Sequence, residues 1–225
     1  MRVLGLVPAR GGSRRLQGKN LERIDGITLV RRALETSIAA RCFATVALSS
    51  DDERILAEAD GLPVVALTRP ERLATDTATT LDVVLHALDA LDETYDAVGI
   101  VQCTSPFTAP EDLAGATAML EAASGGSVVT VARVEAAVHP LKLKRLDGDR
   151  LLPWLQDDRM LPSHALPELW VRNGSAYLTR VETLRAGHIM DPEVQRGYVM
   201  PPERSFDIDT PRDLALARLL AGERR

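Results

Sequence analysis

Two adjacent glycines and four cations directly follow the first apolar run of this 225-residue chain. In "MRVLGLVPARGGSRRLQGKN" the run from Val3 to Val7 stops at Pro8. Gly11 and Gly12 come next, set among Arg10, Arg14, Arg15 and Lys19. Successive backbone N–H groups in such a turn can converge on phosphate oxygens. The side chains add the charge that a triphosphate, more than a single carboxylate, calls for. A well-solvated loop is the competing reading. Two familiar phosphate loops do not match. A Walker A motif needs four residues between its first glycine and the Gly-Lys pair, then Ser or Thr; here Gly12 and Gly18 bracket five, and Asn20 follows Lys19. No GxGxxG opens the loop either. Lys19 also stands out because only three of the 27 basic residues are lysines.

Near the other end, "RSFDIDTPRD" sets Asp207 and Asp209 at i and i+2. In an extended segment both carboxylates then point to the same side. Like charges that close repel unless a cation separates them, and Mg²⁺ with phosphate oxygens is one solution. An acidic turn ahead of a helix is the other. "LTRPERLATDTATTLDVV" gathers Arg69, Asp76, Thr77, Thr79 and Thr80 before a strong helical pattern. Part of that is plain capping, although Arg69 and so many hydroxyls exceed what a cap needs. Cys42 and Cys103 lack a neighbouring base, which argues against nucleophilic catalysis. They read as buried free thiols, suited to a reducing cytosol. Net charge is −5, which speaks against nucleic acid or a membrane surface as partner. No stretch approaches the roughly 20 apolar residues of a membrane helix, so a cytoplasmic protein is expected.

The elements that must position these residues follow from hydrophobic period. Short apolar runs ("RVLGLVP", "TVALSS", "PVVAL", "AVGIVQ", "SVVTVARV") alternate with helical stretches. One stretch places Val30, Ala33, Leu34 and Ile38 on a face, and another stripes Leu81, Val84, Leu85, Leu88 and Leu91. "DERILAEA" and "APEDLAGATAMLEAA" read as further helices. This alternation predicts a doubly wound α/β fold whose mainly parallel sheet is covered on both faces. One domain, 1–225, accommodates it, with an excursion over 137–172. That excursion holds both tryptophans, several prolines and a hairpin turn at Asp147–Gly148. It is the expected site of a dimer contact. "AYLT" and "GYVMP" read as later strands. In the last helix Thr210 is the expected N-cap, with Pro211 at N1 and Asp213 in the first turn.

The segments "VPARGGSRRLQGKN", "SSDDERI", "RPERLATDTATT", "VQCTSPF", "SVVTV", "HPLK", "NGSAY" and "PPERSFDIDT" resemble, in order and spacing, the acylneuraminate cytidylyltransferase family. These are the CMP-sialic acid synthetases and relatives acting on legionaminic and pseudaminic acids. The resemblance spans essentially the whole chain and implies a nucleotide-diphospho-sugar transferase-like fold and a homodimer. It implies transfer of CMP from CTP to a hydroxyl of a 2-keto-3-deoxy sugar acid, with release of pyrophosphate. Arg10 and Lys19 would contact the triphosphate, assisted by Gly11, Gly12 and Arg14. Asn20, Arg69 and Thr80 would hold the cytidine. Asp207 and Asp209 would hold Mg²⁺ or Mn²⁺, with Asp209 also able to take the hydroxyl proton. Gln102, Lys142, Asn173 and Tyr177 match acceptor positions. His139 reads as a structural imidazole before Pro140, and His86, His164 and His188 as structure or surface.

The departures lie mostly on the acceptor side. The glycine usual after "GGS" plus a cation is Arg15. An arginine often found two residues before the Asn of "NGSAY" is Val171, with Arg172 one place later. On a strand that shift sends the side chain to the opposite face, so Arg172 is not expected to substitute. The aromatic pair that some sialic acid enzymes set against the sugar is missing around "RAGHIMDPE". An acceptor other than N-acetylneuraminic acid is therefore expected. A small phosphonate acceptor and a non-catalytic CTP-binding protein remain open.

Overall fold

The structure is a computed structural model describing residues 1–12, 16–75, 77–155 and 160–222. The chain runs β1 (Val3–Pro8), β2 (Arg23–Ile24), β3 (Ile27–Thr28), α1 (Leu29–Ala39), β4 (Thr45–Ser50), α2 (Glu53–Leu56), β5 (Val65–Thr68) and α3 (Thr80–Ala90). It continues with β6 (Ala97–Val101), α4 (Pro110–Ala122), β7 (Ser127–Arg133), β8 (Lys144–Asp147), β9 (Arg150–Pro153), β10 (Trp170–Arg180), α5 (Val181–Arg185), β11 (Gln195–Val199) and α6 (Pro211–Gly222).

Seven strands form one sheet in the order β11-β7-β10-β6-β1-β4-β5. Parallel ladders join β1 to β4 and β6, β4 to β5, and β7 to β11. β10 alone runs antiparallel, between β6 and β7. Period-two alternation divides the core between two faces. Val3 and Val7 of β1 join one apolar cluster with residues of α1, α4 and α6, while Leu4 and Leu6 join another with residues of α3 and α5. The face carrying Val3 and Val7 also takes the half-buried ring of Phe43. A Cβ on Gly5 or Gly99, neighbours on β1 and β6, would come within 2.5 and 2.7 Å of that ring.

Val30, Ala33 and Leu34 of α1 are buried as the pattern predicts, with Ile38 half-buried at the rim. On α3 the buried face is Val83, Val84, Ala87 and Leu88; Leu81, Leu85 and Leu91 flank it. The stripe is rotated because the N-terminal turn of α3 leaves the core to line a cleft. "DERILAEA" supplies one α-turn and then a 3₁₀ turn over Ala57–Ala59. The excursion carries the β8–β9 hairpin, turned at Asp147–Gly148 with Gly148 at φ +63°. Its polypeptide rejoins the main sheet at Trp170, before Arg172. At α6, Thr210 Oγ1 accepts from Asp213 N while Asp213 Oδ2 accepts from Thr210 N, so the expected cap is formed.

The segment leading to the acidic pair is pinned by an ion pair. Arg204 donates from Nε and Nη2 to the two oxygens of Asp112, each at 2.8 Å. Asp112 is fully buried and also accepts from Ala109 N at the start of α4. Removing one partner of such a pair strands the other charge. Asp112→Ala is therefore expected to cost about 3 kcal/mol of unfolding free energy, measurable as a lower urea midpoint. A loss below about 0.5 kcal/mol would contradict this role.

Candidate active site

All strands of the main sheet except β10 point one way, so their carboxyl ends share one edge, where open α/β folds place ligands. Leaving that edge are the glycine loop after β1, Asp51 and Asp52 after β4, Arg69 after β5 and Gln102 after β6. Two clefts open there. One of about 400 Å³ is lined by Arg10, Lys19, Asn20, Arg69, Thr75 and Thr104, among others. The second, about 440 Å³, is lined by Leu81, Ile100, Arg172, Tyr177, Ile189 and Met190. Thr79, Thr80 and Gln102 line both, so the clefts meet at the start of α3 and the end of β6.

The first cleft collects Arg10, Lys19 and Arg69; Arg15, like Asp76, lies outside the described residues. Asn20 is buried and donates from Nδ2 to the Arg10 carbonyl at 3.0 Å, holding the two ends of the glycine loop together. Gly11 N donates to Asp51 Oδ1 at 3.0 Å. A Cβ on Gly11 would lie 2.9 Å from Asp52 side-chain atoms, so this approach needs glycine. Gly12 meets nothing within 4 Å on that side. Arg14 lies outside the described residues. Arg69 is buried; its Nε donates to Ser49 Oγ at 3.3 Å and its Nη2 to the Ser49 carbonyl at 2.9 Å. Burial pulls the Arg69 guanidinium below its ordinary pKa, and the Asp51 carboxylate opposes that shift.

The acidic pair reaches the same cleft from the C-terminal side. Ile208 is fully buried and donates from N to the Thr104 carbonyl at 2.8 Å. This anchors the segment with its two aspartates either side of an apolar plug. Lys19 Nζ donates to the Ile208 carbonyl at 2.8 Å and lies 3.4 Å from Asp209 Oδ1. The ends of the chain thus meet at one ammonium. Burial raises the Asp207 pKa above the usual carboxylate range; Thr104 hydrogen-bonds it in opposition and the Asp209 charge adds to the rise. A carboxylate held in that state gains from a divalent cation. No group of three or more His, Cys, Asp or Glu able to hold a metal occurs among the described residues. Two carboxylates suit Mg²⁺, which commonly takes one or two protein carboxylates and completes its shell with substrate phosphates and water.

On the acceptor side, Gln102 and Tyr177 line the second cleft, while Gln102 N donates to the Ser175 carbonyl at 3.0 Å. Asn173 and Lys142 are placed differently. Asn173 is buried and engaged internally: Nδ2 donates to Ser205 Oγ and Met200 Sδ, and Oδ1 accepts from Ser175 N. It ties β10 to the segment preceding the acidic pair and lines neither cleft. Lys142 sits on the excursion with Nζ 3.5 Å from Ser163 Oγ, and it too lines neither cleft. Conversely, Arg172 lines the second cleft, whereas Val171 faces a different hollow beside Trp170 and Pro202. Thr104, beside Asp207, also lines the first cleft; its only sequence signal is its place just after Gln102 and Cys103.

Other candidates behave structurally. Thr79 spends its hydroxyl on a capping box with Asp82. His139 is buried, accepting at Nδ1 from Leu141 N, so Nε2 carries the proton donated to the Pro167 carbonyl. Burial pushes the Cys103 thiol up to about 12, leaving no thiolate near neutral pH.

A family model described as Cytidylyltransferase matches residues 4–220. CMP-N,N'-diacetyllegionaminic acid synthase of Legionella pneumophila is 31% identical over 228 residues, covering 98% of this chain and 96% of that protein. N-acylneuraminate cytidylyltransferase of Escherichia coli is 26% identical across 96% of this chain, which spans 51% of that protein's length. A solved CMP:2-keto-3-deoxy-manno-octonic acid synthetase complexed with CTP shares the fold, with a TM-score of 0.74 at 19% identity and full coverage of both chains. A polar, cation-rich cleft at the carboxyl edge, beside an acidic pair, accords with this kinship: the chain belongs to the cytidylyltransferase family and is a nucleotidyltransferase.

Proposed function

We propose that the protein transfers CMP from CTP to a hydroxyl of a nine-carbon 2-keto-3-deoxy sugar acid of the legionaminic, pseudaminic or sialic acid type. The observation carrying this reading is the pair of abutting clefts. One is cationic and the other largely apolar, and they meet at Gln102 and Thr80. Leu81, Ile100, Ile189 and Met190 suit the acyl and deoxy groups of such acids better than a fully hydroxylated chain.

In this reading the triphosphate lies along Arg10, Lys19 and the Gly12 backbone, the Gly11 N–H being taken by Asp51, and the cytosine lies against Arg69. The acceptor hydroxyl oxygen bonds to the α-phosphorus as the α–β bridging P–O bond breaks. Pyrophosphate departs with that electron pair, its charge neutralised by Lys19 and Arg10. The hydroxyl proton passes to Asp209, whose side chain is 45% exposed. Gln102 and Tyr177 orient the acceptor, converting encounter into an intramolecular approach. Asp207 and Asp209 would hold Mg²⁺ or Mn²⁺, which supplies charge neutralisation of the phosphates and a lowered hydroxyl pKa.

The hairpin excursion exposes Leu146, Leu151, Trp154 and Met160. We assign this apolar surface to a second copy of the chain, giving a homodimer measurable as a doubled mass by light scattering. No helix among the described residues is long and apolar enough to cross a membrane. With two free cysteines, the cytoplasm is the fitting compartment.

The function is tested by pyrophosphate release from each nucleoside triphosphate with Mg²⁺, across a panel of legionaminic, pseudaminic and sialic acids, Kdo and a small phosphonate. Release that needs CTP together with a nine-carbon acid is expected. Turnover of only the phosphonate, or CTP binding without turnover on any acceptor, would overturn it. Arg69 gives a narrower check. Arg69→Ala is expected to raise KM for CTP on the order of 10-fold and to narrow the preference over UTP, since charge-assisted hydrogen bonds are lost. Unchanged CTP kinetics would remove Arg69 from base recognition.

A further inference from the structure

We propose that Arg172 is the acceptor-anchoring cation of this protein, pairing with the carboxylate of the sugar acid and thereby selecting an acid over its neutral counterpart. The inference rests on the sugar-acid reading above and adds a specificity-determining residue to it.

Its first support is strand parity. Arg172 and Tyr177 are five residues apart on β10, which in a regular strand would put them on opposite faces. Their partners on β7, Val131 and Val129, are two apart, and the register shifts between the two pairs. Paired residues of an antiparallel ladder share a face. Val131 and Val129 share one face, so Arg172 and Tyr177 also share one. The extra residues of the bulge absorb the odd step, and Gly174 within it adopts φ +80°, which favours glycine. The arginine at 172 thus reaches the cleft containing Tyr177 and Gln102, while Val171 faces away.

Its second support is charge. Arg172 is the one charged residue among those lining the acceptor cleft. It makes no hydrogen bond or ion pair from its side chain among the described residues. Arg10, Lys19 and Arg69 line the other cleft. The guanidinium is a rigid fork matched to a carboxylate and poorly matched to a neutral amide acceptor. Arg172 is exposed, so its guanidinium is open to an incoming anionic ligand and need not break an internal ion pair to bind one. The cation division follows: three for the nucleotide, one for the acid.

The test compares wild type, Arg172→Gln and Arg172→Lys on N,N'-diacetyllegionaminic acid and on its carboxamide, with KM for CTP and thermal midpoint measured in parallel. Arg172→Gln is expected to raise KM for the acid on the order of 10- to 100-fold, with KM for CTP and the midpoint within error. Arg172→Lys is expected to recover part of the loss. Wild type should favour the acid over the carboxamide by a similar factor, and Arg172→Gln should erase most of that preference. Unchanged acid KM with the preference intact would overturn this inference alone. So would a variant whose CTP kinetics and midpoint fall together, since that marks a structural role. Where another nine-carbon acid of the panel is the better acceptor, it and its carboxamide replace this pair; wild type inactive on every nine-carbon acid would overturn the inference together with the reading beneath it.

Discussion

Lys19→Ala is expected to lower kcat/KM for CTP on the order of 10³-fold, the largest single loss in the molecule. The ammonium is mostly buried, with a side-chain exposure of 13%, and touches both the Ile208 carbonyl and Asp209. It links the loop that follows β1 directly to the acidic segment. Its removal takes away a charge facing the departing pyrophosphate and a cation that acts on both Asp207 and Asp209. Lys19→Arg should recover little, because a compact ammonium fits between two oxygens where a planar fork does not. The check is steady-state kinetics of pyrophosphate release; activity within 10-fold of wild type would remove Lys19 from the reaction.

Asp209→Asn is expected to reduce kcat on the order of 10²-fold or more, with the fold intact. The side chain is half-exposed and its backbone N–H is bonded to Asp213, so the loop keeps its anchor in the variant. What disappears is the negative charge for the cation and for the proton. Raising Mg²⁺ should restore some rate if ligation is weakened. Turnover near wild type, or a collapse of the thermal midpoint, would contradict the assignment.

Much of the sheet was legible because strands buried on both faces read as unbroken apolar runs, as in β1, β4 and β6. The reversed direction of β10 was not legible, since an antiparallel strand inserted among parallel ones can carry the same residue pattern. The nucleotide side was legible because its chemistry is local in sequence: Arg10, Lys19 and Asn20 lie on one loop, and Asp207 and Asp209 on another. Their convergence needed the tertiary fold. The acceptor side was harder to read for two physical reasons. Asn173 has the chemistry of a ligand, yet an amide can equally be consumed by Ser205, Met200 and Ser175. Residues 171 and 172 do face opposite ways, as strand alternation predicts; what the sequence could not show is that the bulge after them turns Arg172, and not Val171, to the face of Tyr177. On α3 the sequence stripe includes Leu81, which packs at the rim of the core and also lines the second cleft.

The central claim is that one CTP bridges the glycine loop and the acidic pair. A crystal structure of the protein with CTP and Mg²⁺ tests it most directly. The account predicts a triphosphate oxygen in ion-pair contact with Lys19 Nζ, and a cation joining that triphosphate to Asp207 and Asp209. A triphosphate seated away from Lys19, or a metal distant from both carboxylates, would contradict it.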